Sequence, residues 1–247
     1  MSTAVLPQNS TTGHETKVIK KVAHENANKA HAVDGDSGRN EVYDSWADKY
    51  DEELNHERYK GPLYVAEYLS KHLQGELNSK ILDVAAGTGI MCEHLRVWGY
   101  QNCDALDSSQ GMLEKAKKKD LYVNYHCALL GDNKDIPDDC YDAIGSAGGF
   151  GPSHIPCMSI PEMLRMVRPG GIISLGIRTE FLETVKEYNN RLQPLFDELE
   201  ANGRWRLKEK VSVPEWFLDF QGIVWVYEVT CSGLPKTNLK SLEQTLE

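Results

Sequence analysis

The chain has 247 residues, enough for one large α/β domain or two small ones, and a formal net charge of −10. That acidic balance argues against bulk binding to phosphate backbones or to anionic membrane surfaces. No apolar stretch approaches the roughly 20 residues that span a bilayer, and the N-terminus carries no secretory apolar region.

Residues 1–39 are rich in Ser, Thr, Asn, Gly, His and Lys and poor in large apolar residues, which predicts a disordered tail. Asn40 is placed to cap a helix that sets Val42, Trp46 and Tyr50 on one face. Gly61-Pro62 opens a second helix, with Leu63, Ala66, Leu69 and Leu73 on one stripe. From Lys80 onward strand and helix alternate. A strand over 81–84 leads into a helix over 89–98. The next strand ends at Asp107 and is followed by a helix carrying Met112, Leu113 and Ala116. Strands are expected near 122–127 and 141–146. A helix through 163–167 then turns at Arg168-Pro169-Gly170-Gly171 into a strand over 172–177. A long helix follows, with Phe181, Val185, Leu192, Leu195 and Leu199 on one stripe. Two β-rich runs, 205–213 and 222–230, come last. This alternation predicts an α/β fold with a doubly wound, mostly parallel sheet and an antiparallel hairpin at its edge. The folded domain is expected over 40–231, with a flexible tail over 232–247. The six cysteines include no C-x-x-C pair and no zinc spacing, so they read as reduced thiols of a cytoplasmic protein without a metal site.

The chemistry concentrates in Ile81-Leu82-Asp83-Val84-Ala85-Ala86-Gly87-Thr88-Gly89. An apolar run ends in an acid and turns through small residues into a helix, and a second acid, Asp107, closes the next strand. This is the ground plan of a nucleoside-binding α/β site. A dinucleotide fingerprint would read G-x-G-x-x-G directly after the strand. Here Cys92 stands at the third small position, and the acid precedes the turn. The arrangement resembles motif I, D-x-G-x-G-x-G, of the class I S-adenosylmethionine (SAM)-dependent methyltransferases. Ala85 replaces the first glycine and is still small enough to let main chain approach a ligand.

The resemblance implies SAM as cofactor, S-adenosylhomocysteine as product, and a set of cofactor contacts. Asp107 has the reach to accept both ribose hydroxyls, or it caps the following helix together with Ser108 and Ser109. Ser108 is counted with Asp107 among the cofactor-binding residues. Gly87 and Gly89 admit the methionine portion. Asp83 either receives the methionine ammonium or holds the amides of the turn. Met112 lies against adenine or is an ordinary core residue. The segment Leu130-Gly131-Asp132-Asn133-Lys134-Asp135-Ile136-Pro137 looks like the G-D-x-x-x-L-P stretch that reads adenine in many small-molecule methyltransferases. It nominates Asp132 and Asn133, against the alternative of a plain turn. The glycine-rich rim 145–151 lacks the (Asn/Asp)-Pro-Pro-(Tyr/Phe) run of enzymes that methylate adenine or glutamine nitrogen. His154 is the nearest titratable side chain, but no catalytic residue is assigned.

Val42-Tyr43-Asp44-Ser45-Trp46-Ala47-Asp48-Lys49-Tyr50-Asp51 looks like the Y-D-x-W-A-x-x-Y-D segment that lies over the cofactor, which implies Tyr43 and Tyr50 at the methionine end. Together with Arg165-Met166-Val167-Arg168-Pro169-Gly170-Gly171 and Ile177-Arg178-Thr179, these motifs make the chain similar to the methyltransferase-like protein 27 group from about residue 42 to 229. The acceptor implied is first a small molecule and second an exposed protein group. A SAM-binding protein without turnover and a nicotinamide-dependent oxidoreductase are the rivals, and no oligomeric state follows.

Overall fold

Strand β1 (Ile81–Val84) is buried along its whole length, which demands cover on both faces of a sheet. The computed structural model describes residues 13–33, 35–131 and 133–231 and supplies that cover. The other strands are β2 (Cys103–Asp107), β3 (Tyr125–Cys127), β4 (Tyr141–Ala147), β5 (Val167–Arg178), β6 (Trp205–Phe217) and β7 (Phe220–Val229). They form a 7-stranded sheet in the order β3-β2-β1-β4-β5-β7-β6. Pairs among β1 to β5 are parallel, and β7 runs antiparallel to both β5 and β6. The order reverses between β1 and β4, so a crevice opens at the carboxyl ends of these strands.

Helices α1 (Gly13–Ala32), α2 (Asp36–Glu53), α3 (Gly61–Leu73), α4 (Ile90–Val97) and α5 (Gln110–Lys118) precede β3 in the chain. Helices α6 (Ile160–Met166), α7 (Phe181–Thr184) and α8 (Leu192–Ala201) follow β4. Successive strand residues serve opposite cores: Ile81, Cys103 and Ala143 face α3 and α4, whereas Leu82, Leu106 and Ile144 join α6 and α8. None of the described helices is long and apolar enough to cross a membrane.

Four departures from the sequence reading have physical causes. Within the expected disordered tail, α1 is a helix, and Ala23, Ala27 and Ala30 are buried at helical spacing. A stripe of methyl groups is a weak hydrophobic signal, yet it allows close approach to α2. Residues 1–12 and 232–247 lie outside the described residues. Helix α2 begins at Asp36, so Asn40 is not its cap; the Asn40 amide donates to the Ser108 carbonyl (3.1 Å) and accepts from the Ser108 hydroxyl (2.8 Å). The expected turn over 168–171 belongs to β5, entered through a register shift with Gly170 at φ 82°. The expected long helix is broken after Thr184: Val185 is extended and Asn190 has φ 55°, while the Tyr188 hydroxyl is drawn inward to the carbonyls of Gly151 (3.0 Å) and Ile155 (2.8 Å).

Candidate active site

The turn after β1 carries two left-handed residues on either side of Ala86, Ala85 at φ 58° and Gly87 at φ 56°. A side chain on Gly87 would point into open space, so the backbone here forms a cradle that is bare on its outer side. The Gly87 N–H donates to Asp107 Oδ2 (2.8 Å), and the Ser109 N–H donates to Oδ1 (2.8 Å). Asp107 therefore spans the ends of β1 and β2, half-buried at the rim. Burial pushes its pKa upward, and the two amide donors oppose the shift.

Asp83 sits one layer deeper. It is 2% exposed, and its Oδ2 accepts from the Tyr122 hydroxyl at 2.6 Å. Burial raises its pKa to about 7; the Tyr122 hydrogen bond pulls downward, and the Asp107 charge adds to the rise. Gly89 faces away from the crevice, and a Cβ there would stand 2.6 Å from Leu121 Cδ1. Its glycine requirement comes from packing as well as from φ 92°.

Helix α2 roofs the crevice. Asp44 Oδ1 accepts from the Ser109 hydroxyl (2.5 Å) and the Gly111 N–H (2.9 Å), fastening α2 to the start of α5. The Ser109 hydroxyl also caps α5 by accepting from the Met112 N–H (3.1 Å). Beneath this roof lies a cavity of about 350 Å³. Tyr43 and Tyr50 line it from above, Ala85, Gly87 and Asp107 from one side, and Ser108 and Met112 from the far end. Of the residues nominated from sequence, Asp83 and Gly89 do not reach it. Asn133 does not reach it either: its amide donates to the Leu129 carbonyl (2.9 Å) and accepts from the Gly131 N–H (3.1 Å), which closes a turn. Asp132 lies outside the described residues. The carbon wall at that end is formed instead by Ala128, Leu129 and Leu130.

Gly148 of the expected glycine-rich rim is in this wall, whereas sequence reasoning missed Arg39 and Tyr59. Arg39 is 5% exposed and held by Asp36 at 2.5 Å, a position visible in sequence only once α2 is known to begin at Asp36. His154 also lines the cavity. Its Nδ1–H donates to the Pro152 carbonyl (2.7 Å), which leaves Nε2 to accept from the Tyr43 hydroxyl (2.8 Å). Burial lowers the His154 pKa to about 4, so the ring is neutral at physiological pH.

Two smaller cavities adjoin the first. One, of about 30 Å³, includes Asp83, Thr88 and Ile90 and shares Tyr50, Tyr59 and Gly87 with it. The other, of about 60 Å³, is walled by Trp46, Phe150, Phe181, Trp216 and Phe217 and shares Tyr43, Tyr50, Tyr59 and Gly148. Trp216 lies so close against Gly176 and Gly222 that a Cβ on either would fall within 2.5 Å of the indole.

A family model described as "Methyltransferase domain" matches residues 81–171. Methyltransferase-like protein 27 of Homo sapiens is 33% identical over 178 residues, spanning 71% of this chain and 71% of that protein. A demethylmenaquinone methyltransferase of Staphylococcus haemolyticus is 28% identical over 66% of this chain and 72% of its own length. Among solved structures, the chain resembles a complex between the Haloferax volcanii Trm112 methyltransferase activator and the putative methyltransferase (TM-score 0.57, 16% identity, 76% of this chain and 98% of that one). It also resembles the Burkholderia thailandensis 1,6-didemethyltoxoflavin-N1-methyltransferase with bound 1,6-didemethyltoxoflavin and S-adenosylhomocysteine (TM-score 0.51, 13% identity, 92% of this chain and 94% of that one).

Proposed function

Because the chain belongs to the class I SAM-dependent methyltransferases and uses SAM as cofactor, we propose that it methylates a small molecule held in the aromatic cavity beyond Gly148. The observation that carries this is the continuity of the two cavities through Tyr43, Tyr50, Tyr59 and Gly148. One compartment is rimmed by Asp107 and the bare backbone of Gly87, and the other is small and aromatic. The second compartment, of about 60 Å³ and walled by aromatic rings, suits a small, flat group, which supports a small molecule as the first reading of the acceptor.

Bound SAM supplies a methyl group on a positively charged sulfur. The protein's share is alignment and exclusion of water. Asp107 would accept the ribose hydroxyls, with its amide donors from Gly87 and Ser109 holding the carboxylate in place. The Gly87 cradle would admit the methionine portion, whose ammonium would face Asp83 through the smallest cavity. Met112 and Leu130 would flank adenine. Tyr43 and the neutral His154 offer a route for the acceptor's proton: Tyr43 stands at the junction, and the Nε2 lone pair of His154 is in line behind it.

The test is calorimetric titration with SAM and with S-adenosylhomocysteine. Wild type should bind both, and Asp107→Ala should weaken each by about tenfold or more, the scale of a lost charge-assisted pair. Equal affinity in the variant would remove Asp107 from the cofactor site. Absence of binding to folded wild type would overturn the functional reading itself.

A further inference from the structure

The aromatic cavity contains one charged residue that the chemistry above does not use. Arg178 ends β5, is 6% exposed and lines the cavity wall. Its guanidinium carbon lies 3.8 Å from the Phe220 ring centre, 4.6 Å from Phe181 and 5.5 Å from Phe217. These rings stabilise the cation but accept no conventional hydrogen bond. One nitrogen, Nη2, pairs with Glu180. Nε is buried and has no hydrogen-bond partner among the described residues. A buried N–H left without an acceptor is costly, and folded proteins keep few of them.

The surroundings decide the sign of the missing partner. No Asp or Glu lines this cavity among the described residues. His31, the one histidine on this wall beside the tyrosines Tyr43, Tyr50 and Tyr59, packs edge-on against His154 and Phe181, both at 5.4 Å. A cationic acceptor would meet the Arg178 charge, whose paired carboxylate, Glu180, is not part of the cavity wall. An anion meets the guanidinium charge that Arg178 brings to the wall. The volume of about 60 Å³, at roughly 10–15 Å³ per water-sized group, holds on the order of five such groups. That is a carboxylate and part of one ring, with the remainder reaching the Gly148 junction.

We propose that the methyl acceptor is a small, flat carboxylate, its anionic group taken by Arg178 and its nucleophilic atom left at the junction beside Tyr43. The assignment rests on the methyltransferase reading and narrows it, and the experiment separates the two. Full-length protein is saturated with S-adenosylhomocysteine and titrated with two ring-matched probes, 4-hydroxybenzoate and its neutral amide, followed by calorimetry. The carboxylate should bind at least about tenfold more tightly than the amide. Arg178→Met should abolish that preference while the S-adenosylhomocysteine affinity stays unchanged, and Arg178→Lys should restore part of it. Equal binding of the two probes, no binding of the carboxylate, or a preference that survives Arg178→Met overturns the proposal. Should Arg178→Met fail to fold, the comparison of probes on wild type still decides it. Failure of wild type to bind S-adenosylhomocysteine would instead bring down the cofactor reading on which it rests.

Discussion

Asp83 lies one residue before the end of β1 and Asp107 closes β2, and their depth gives them different properties. Asp107 sits at the rim with two amide donors. Asp83 is enclosed, with the Tyr122 hydroxyl bonded to Oδ2 and a pKa raised to about 7. A raised folded-state pKa means that the folded form holds the proton more tightly than the unfolded chain. The resulting stability is complete below about pH 4, the unfolded carboxyl range, and is lost as pH rises through about 7. Between pH 5 and 8 the cofactor-free protein should therefore lose stability relative to Asp83→Asn, which cannot titrate. Parallel urea melts of the two proteins at these pH values measure the difference, and a constant gap would show that Asp83 keeps an ordinary pKa. Ala85 offers a second test. At φ 58° it occupies a conformation that costs an L-residue about 1–2 kcal/mol, partly offset by the extra freedom a glycine brings to the unfolded chain. Ala85→Gly should raise stability by about 0.5–1 kcal/mol, read from the urea midpoint.

At the scale of elements, what the sequence disclosed followed the strength of the pattern. The β1 run, the turn to Gly89 and the acid closing β2 are local features, and they lie where their spacing put them. The antiparallel pair of β6 and β7 was likewise visible as two long β-rich runs. Helix α1 was hidden because its buried stripe is alanine, and hydrophobicity summed over large residues passes over it. The break after Thr184 was hidden because it depends on Tyr188 reaching the carbonyls of Gly151 and Ile155, a contact 37 and 33 residues away in the chain. The same limit applies to the site. Motif I and Asp107 can be found by spacing, whereas Arg39, Tyr59 and Arg178 become neighbours only through the tertiary fold.

Across the whole molecule, the larger cavity, proposed for the cofactor, and the aromatic cavity depend on different parts of the chain. The larger cavity is lined by residues from Asp36 to Pro156. The aromatic one also needs Ala27 and His31 of α1 and Trp216 and Phe217 of β6. Placing a charge at Ala23, which is fully buried, should detach α1. Ala23→Glu is expected to bind S-adenosylhomocysteine within about threefold of wild type yet lose methyl transfer by about tenfold or more. Equal losses in both would show that α1 supports the fold as a whole.

The contact of α1 with the far end of the sheet also bears on how the site comes into being during synthesis. His24 stacks on Phe220 at 5.8 Å, and Lys20 lies 3.9 Å from Asp219. These partners are separated by nearly the whole chain, so α1 must leave the ribosome and wait while every strand of the sheet is made. At roughly 5–20 residues per second, that delay is on the order of 10–40 s. A nascent chain can complete the crevice of β1, β2 and β4 well before it completes the aromatic compartment. On the proposed assignment, the cofactor cavity forms earlier than the acceptor cavity, and a chain arrested before Phe220 should hold only the first.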